Sequence, residues 1–381
     1  MGRYVQTCPI IYGAGTVSLL GEEVKKLGCS KVLLVSDNIV AGLQIYEKCK
    51  NSLLKAGLDF VEFTEIIPDP PDYIINRGGE LARTEKIDGI IAIGGGSPMD
   101  AAKGMNVLIN NPGTVNQYFG NPFYVPGVPV VMVVTTAGTG SESTSVGVIT
   151  DTENNVKNSV ICNAALGILD PEATVTAPPE LTAYTGLDTL AHAAEAITAK
   201  IPNPKSELLA SEAIKKVVAN LQLAIVDGQN IAARGELLLA SNFAGLAFND
   251  ALVHLGHAIA HAVGAKFHIT HGIVCALALP EVMKYAADIN RWKVKIVGDA
   301  MGIRFSGQES SQEVGELVAQ GIREFAKQFN IKSFAALGIA REELLAVTPL
   351  VFNDACYNFV PKELTNAEVK GILGNIYDNY K

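Results

Sequence analysis

Residues 88–104 read DGIIAIGGGSPMDAAKG, and their pattern decides the fold of the amino-terminal half. The run over 89–93 is continuously apolar rather than alternating, as expected of a strand buried on both faces of a parallel sheet. It stops at Gly94, Gly95 and Gly96, after which Ser97 reads as the cap of a helix whose first residue is Pro98. Glycine backbone leading into a helix N-terminus presents unobstructed N–H groups, a setting suited to pyrophosphate or another anionic oxygen. The turn does not match the GxGxxG fingerprint of the ordinary dinucleotide fold, and a generic Gly-rich connection would read the same way, so it needs support from elsewhere in the chain.

That support lies on both sides. KVLLVSDN (31–38), LDFVEFTEI (58–66), PVVMVVTT (129–136) and ALGILDP (165–171) are further short apolar runs separated by helical stretches. They predict an α/β domain with a parallel sheet over residues 1–183. Asp37 ends the first of these runs, where a carboxylate can accept from two ribose hydroxyls and would repel a 2′-phosphate, favouring NAD over NADP; its ordinary alternative is a turn or cap residue. The turn TTAGTGSESTS (135–145) follows another apolar run and offers Thr135, Thr136, Thr139 and Ser141 as small polar groups for ribose, phosphate or carboxamide. Beyond Pro178 and Pro179 the period changes. SELLASEAIKKVVANLQLAI (206–225), AARGELLLASNFAGLAF (232–248) and SQEVGELVAQGIREFAKQF (311–329) carry wide apolar faces at helical spacing, predicting an all-helical domain over 184–381.

Composition agrees with two ordinary domains. The chain has 381 residues, 48% of them hydrophobic and 18% charged, enough to bury two cores. Its net charge of −9 is spread without acidic or basic blocks, which argues against nucleic acid as a partner. Apolar stretches such as VPGVPVVMVV are broken by Pro and Gly and read as buried strands, with no membrane span expected. The six cysteines form no CxxC, and no charged-then-apolar secretion segment opens the sequence, so a reducing cytoplasm is the expectation.

All six histidines fall between 192 and 271. Asp188 and His192, in GLDTLAHAAEA, are four apart and share a helix face. His254, His257 and His261 repeat at helical spacing, and His268 and His271 follow an interruption expected at Gly264. A carboxylate with several imidazoles makes an oxygen/nitrogen site for Zn²⁺, Fe²⁺, Mn²⁺ or a related ion, although a single histidine more often packs or hydrogen-bonds. Asp188, His192, His257 and His271 are four groups that could hold one ion.

Taken in order, GGGSPMDAAK, TTAGTGSE, ILDP, GLDTLAHAAEA and HAIAHAVGAKFHITHG resemble the iron-containing, or group III, alcohol dehydrogenases over nearly the whole chain. The resemblance implies an α/β dinucleotide-binding domain followed by a helical metal-binding and substrate domain, with catalysis between them. It implies that Asp188, His192, His257 and His271 bind the metal, Fe²⁺ first and Zn²⁺ or Mn²⁺ as alternatives. His261 matches a further histidine near the nicotinamide, with a role in orientation or proton transfer. NAD contacts are implied for Asp37, Gly95, Gly96, Ser97, Asp100, Thr135, Thr136, Thr139, Ser141 and Lys157, and the family prior favours a homodimer or larger homo-oligomer. The chain departs from the pattern before the final His-Gly, where it has His268, Ile269 and Thr270 in place of an acidic residue, Ile and Pro.

Such a site would polarise a carbonyl, or acidify a hydroxyl, while hydride passes to or from nicotinamide. Phe248, Phe267, Phe352 and Cys356, with Cys275 and Tyr357, supply candidate apolar walls, and His254 and His268 candidate polar probes. These suit a small primary alcohol or diol and its aldehyde. The two extra histidines leave room for a short aldehyde bearing an acidic group. The same ligands could also serve a metal-dependent hydrolase.

Overall fold

The computed structural model describes residues 4, 6, 8–154, 156–201 and 203–380. The chain divides into an α/β unit, Gln6–Ala177 with Gly228–Asn242, and a helical unit built mainly from Pro178–Asp227 and Phe243–Lys381. The division falls at Pro178 rather than after residue 183, because Pro179 opens a helix that runs unbroken to Thr198. Residues 228–242 read as part of the helical half. They group instead with the α/β unit because Leu238 and Leu239 pack into its core.

In the α/β unit the strands are β1 (Ile10–Tyr12), β2 (Lys31–Asp37), β3 (Asp59–Ile66), β4 (Gly89–Gly94), β5 (Val130–Val134), β6 (Val146–Asp151), β7 (Val156–Ile161) and β8 (Leu166–Leu169). A parallel six-stranded sheet has the order β1-β8-β5-β4-β2-β3, and β6 and β7 form a separate antiparallel pair. The helices are α1 (Leu20–Lys26), α2 (Asn38–Ala41), α3 (Gln44–Ala56), α4 (Asp72–Thr84) and α5 (Gly96–Ile109). Successive strand residues point to opposite faces. Leu33, Val35, Ile90, Ala92 and Met132 therefore join one core with Ile75, Met99 and Met105. Val32, Leu34, Ile91, Ile93 and Val133 join the other with Leu20, Tyr46 and Leu53. Each fully buried Leu, Ile or Val contributes about 1.5–3 kcal/mol, which is why these strands are apolar at every position instead of every second one.

The helical unit contains α6 (Pro179–Thr198), α7 (Pro204–Val226), the latter part of α8 (Ile231–Ala251), α9 (Leu255–Phe267), α10 (His271–Ala300), α11 (Ser311–Lys327), α12 (Arg341–Leu345), α13 (Thr348–Asn353) and α14 (Asn366–Asn379). Local chemistry sets the starts: Asn203 accepts from the N–H groups of Lys205 and Ser206 with Pro204 in the first turn, and Ser310 with Glu313 forms a capping box. The interruption expected at Gly264 lies four residues later, at His268. Gly264 is inside α9, and His268 ends that helix in the left-handed region (φ 55°), a conformation His tolerates better than most side chains. Among the described residues no helix is long and apolar enough to cross a membrane.

Candidate metal centre and cofactor turns

Helices α6, α9 and α10 carry the metal candidates. Asp188 and His192 lie one turn apart on α6, His257 sits in the first turn of α9, and His271 is the first residue of α10. One carboxylate oxygen is the meeting point: Asp188 Oδ1 lies 3.5 Å from His271 Nε2, 3.7 Å from His192 Nδ1 and 3.9 Å from His257 Nε2. Donors about 2.1 Å from a common ion in a tetrahedron stand about 3.4 Å apart, so these spacings fit a divalent cation. His257 Nε2 is buried and has no hydrogen-bond partner among the described residues, a position that a metal bond would satisfy. The side chains of Asp188, His192 and His257 are at most 8% exposed, whereas His271 is 30% and His261 18% exposed, so the cage opens on the side of the last two.

Two carboxylates orient the rings. Glu195, completely buried on α6, stands 3.0 Å from His257 Nδ1 through Oε1 and accepts the His254 backbone N–H through Oε2. Burial opposes its ionisation, but the adjacent His257 and His254 imidazoles and these hydrogen bonds prevail and hold its carboxyl below the ordinary value. Such a partner accepts a hydrogen bond from Nδ1–H, which keeps the ring proton there and leaves His257 Nε2 for the ion. Asp354 does the same for His261, 2.9 Å from Nδ1, and also accepts the Cys356 backbone N–H. There too burial is outweighed, here by His261, and the carboxyl is held low. Neither Glu195 nor Asp354 was picked out from sequence, yet Glu195 follows Asp188 and His192 at the next position of the same helix face.

Cys275, expected from sequence only as an apolar wall, lies among the donor atoms. Its buried Sγ lies 3.4 Å from His271 Nε2, and the donor atoms of Asp188, His257, His271 and Cys275 all fall within 4.8 Å of one another. Burial, with the Asp188 and Glu195 carboxylates, pushes its thiol well above the ordinary value.

The pocket candidates divide. Phe248 stacks on His192, with ring centroids 4.4 Å apart, and Cys356 Sγ lies 4.0 Å from His261 Nδ1. Phe352 packs edge-on against Tyr357, and Phe267 lies under the Lys266 ammonium. His254 does not serve as a polar probe. It is completely buried, its Nε2 lies 3.0 Å from Thr198 Oγ1, and burial, opposed by the Glu195 carboxylate, lowers the pKa of its imidazole. His268 is exposed and shapes the end of α9.

In the α/β unit the Gly-rich turn differs from expectation by one step. Gly95 is the N-cap of α5 and the helix starts at Gly96, so Ser97 lies inside its first turn rather than capping it. A Cβ on Gly95 would come within 2.7 Å of Thr136 Oγ1, and one on Gly96 within 2.8 Å of Thr139 Cγ2. The glycines therefore let the two polar turns close on each other. Ser141 donates to Asp100 Oδ1 and accepts from Lys103 Nζ, which also donates to Thr144 Oγ1 and the carbonyls of Ser141 and Val146. Lys103 is fully buried, its ammonium pKa lowered by that burial, so Asp100 and Ser141 belong to an internal network. Thr135 is buried at the end of β5, hydrogen-bonded through its backbone N–H to Gly94. Asp37 caps α2, with Oδ1 accepting from Ile39 and Val40, and Lys157 pairs with Asp69 at 2.6 Å.

Comparison with known proteins covers both units. A family model described as iron-containing alcohol dehydrogenase matches residues 8–171, and a second, for the C-terminal part of the Fe-containing alcohol dehydrogenase family, matches 182–377. The NAD-dependent methanol dehydrogenase of Bacillus methanolicus is 34% identical over 96% of this chain and 97% of its own. The 1,3-propanediol dehydrogenase of Citrobacter freundii is 33% identical over 95% of each. A crystal structure of 1,3-propanediol oxidoreductase superposes with a TM-score of 0.95 at 31% identity, over 99% of this chain and 100% of that one.

Proposed function

The chain belongs to the iron-containing alcohol dehydrogenase family, and from that premise we propose that it interconverts small primary alcohols or diols and their aldehydes with NAD(H). The observation that carries the metal-dependent part is the convergence of three imidazole nitrogens on Asp188 Oδ1. Asp188, His192, His257 and His271 would hold a divalent ion, which when bound would supply Lewis acidity toward a hydroxyl or carbonyl oxygen. Fe²⁺ is the ion the family name gives, and Zn²⁺ or Mn²⁺ suits the same donors. His261, its Nδ1 engaged by Asp354, keeps Nε2 as the acceptor that moves a proton toward solvent. Phe248 and Cys356 stand beside the imidazoles as apolar walls, and a small substrate enters on the more exposed side of His271 and His261.

For the cofactor, Gly95, Gly96 and Ser97 offer backbone N–H groups at the start of α5, with Thr136 and Thr139 across the turn. Asp37 retains Oδ2 for a ribose hydroxyl, which favours NAD, the cofactor in the name of the Bacillus methanolicus relative. The acid-bearing aldehyde loses half of its support, since His254 is sealed in the core.

The test is anaerobic reconstitution with Fe²⁺, Zn²⁺ or Mn²⁺, following NADH absorbance with methanol, 1,3-propanediol and short aldehydes. Metal-dependent NADH turnover with at least one small alcohol or aldehyde is expected. Metal-loaded protein that hydrolyses esters or amides but neither forms nor consumes NADH would overturn the proposal.

A further inference from the structure

One buried thiol lies beside the cage, outside the four groups Asp188, His192, His257 and His271. Cys275 lies one turn after His271 on α10, so both side chains share a face. Its Sγ is 3.4 Å from His271 Nε2 and belongs to the set of four donor atoms lying within 4.8 Å of one another. A thiolate about 2.3 Å and an imidazole nitrogen about 2.1 Å from one ion stand roughly 3.1–3.6 Å apart at angles between perpendicular and tetrahedral, and the observed spacing falls in that window. His257 Nε2 is an independent pointer, being buried, within 3.9 Å of Asp188 Oδ1 and without a hydrogen-bond partner among the described residues.

We propose that Cys275 is a further ligand of the ion, binding through Sγ as a thiolate beside Asp188, His257 and His271. The inference rests on the metal-dependent reading and changes the donor set from oxygen/nitrogen to oxygen/nitrogen/sulfur. On binding, the S–H bond breaks, the S–metal bond forms and the proton passes to solvent. No electrons are exchanged. A buried thiol that gives its proton to a cation in this way is a strong, soft donor, so the site favours Zn²⁺ and Fe²⁺ over Mn²⁺ more than an all-oxygen/nitrogen cage would.

Cobalt(II) tests this without reference to turnover. Its visible d–d bands report that the ion occupies a protein site, and a near-ultraviolet sulfur-to-cobalt band reports a bound thiolate. Both bands are expected in the full-length wild-type chain. Cys275→Ser and Cys275→Ala should each abolish the near-ultraviolet band and keep the visible ones, while Cys356→Ser keeps both. The preference for Zn²⁺ over Mn²⁺ in competition titrations should fall by roughly tenfold or more in the Cys275 variants. Visible bands without a near-ultraviolet band in the wild type, or a near-ultraviolet band that survives Cys275→Ser, would overturn the Cys275 assignment and leave the metal reading standing. Absence of visible bands in the wild type would overturn both. The wild-type spectrum decides whether any thiolate binds even if one variant fails to fold.

Discussion

Replacing Glu195 separates ring orientation from ion coordination, because this carboxylate touches His257 and His254 but stands behind the proposed ligand face of His257. Glu195→Gln preserves shape and one acceptor while removing the charge. A hydrogen bond to a charged group is worth about 1.5–3 kcal/mol, roughly twice a neutral one, so the loss is about 1–1.5 kcal/mol, close to tenfold in affinity for the ion. Glu195→Ala leaves two buried donors unmet, the His254 backbone N–H and His257 Nδ1–H, at about 1–3 kcal/mol each. That variant should therefore lose about 2–6 kcal/mol of folding stability as well as affinity. Zn²⁺ competition against a chromophoric chelator measures the first effect, and urea unfolding of the metal-free protein the second. If Glu195→Gln binds Zn²⁺ within threefold of wild type, the carboxylate does not orient His257 as argued. If Glu195→Ala unfolds at an unchanged midpoint, the two donors have found other partners.

Three further perturbations probe different parts of the molecule. A Cβ at Gly272 would lie 2.1 Å from the Tyr184 carbonyl oxygen, so Gly272→Ala must push α10 away from α6; stability should fall by about 1–3 kcal/mol and Zn²⁺ affinity at least roughly tenfold, and unchanged Zn²⁺ binding would refute the close-contact argument. Burial opposes ionisation of Asp72, but hydrogen bonds from Asn116, from the side chain and backbone of Thr152 and from the Tyr73 N–H hold its carboxyl below the ordinary value. Its contribution is therefore present above the unfolded value near pH 3.9 and lost as pH falls through the folded one, so Asp72→Asn should flatten the acid limb of stability below about pH 4, as measured by urea unfolding across pH. Chelation should abolish turnover while leaving the far-ultraviolet circular dichroism intact, since Leu190, Ile259 and Val274 are buried in the helical unit independently of the ion. The cost should be the linkage term alone, about 2.7 kcal/mol at a free-ion concentration one hundredfold above Kd, and wholesale loss of helix would contradict this.

What the sequence made legible follows from periodicity. The runs of β2, β4, β5 and β8 were readable because both faces are buried, which forces a side chain such as Ile90 and its neighbour Ile91 to be equally apolar, whereas the edge strand β3 leaves Asp59, Glu62 and Glu65 exposed. By contrast β1 is only three residues long, and β7 carries Lys157, Asn158 and Ser159 on a half-exposed pair, so neither produced a continuous run. Asp188 and His192 were readable because helical spacing puts them on one face. Asp354 was not, because it reaches His261 from 93 residues away, and sequence spacing says nothing about that approach. Ser97 misled as a cap because Gly95 can take the N-cap conformation without a side-chain hydrogen bond, one residue earlier in the turn.

The centre is built from pairs one helical turn apart, and this explains both its visibility and its rigidity. On α6, Asp188 is followed by His192 and then by Glu195; on α9, His257 is followed by His261; on α10, His271 is followed by Cys275. In each case the first member faces the shared space around Asp188 Oδ1 and the next turn carries a group that touches it or its neighbours. Each residue of a helix turns the side-chain direction by about 100°, so a pair four apart diverges by only about 40° and stays on one side. Register within the three helices therefore fixes the donors more tightly than the connecting segment 268–270 does. This gives a physical reason why His268 and Thr270 can depart from the family pattern in that loop while His271 remains aimed at Asp188.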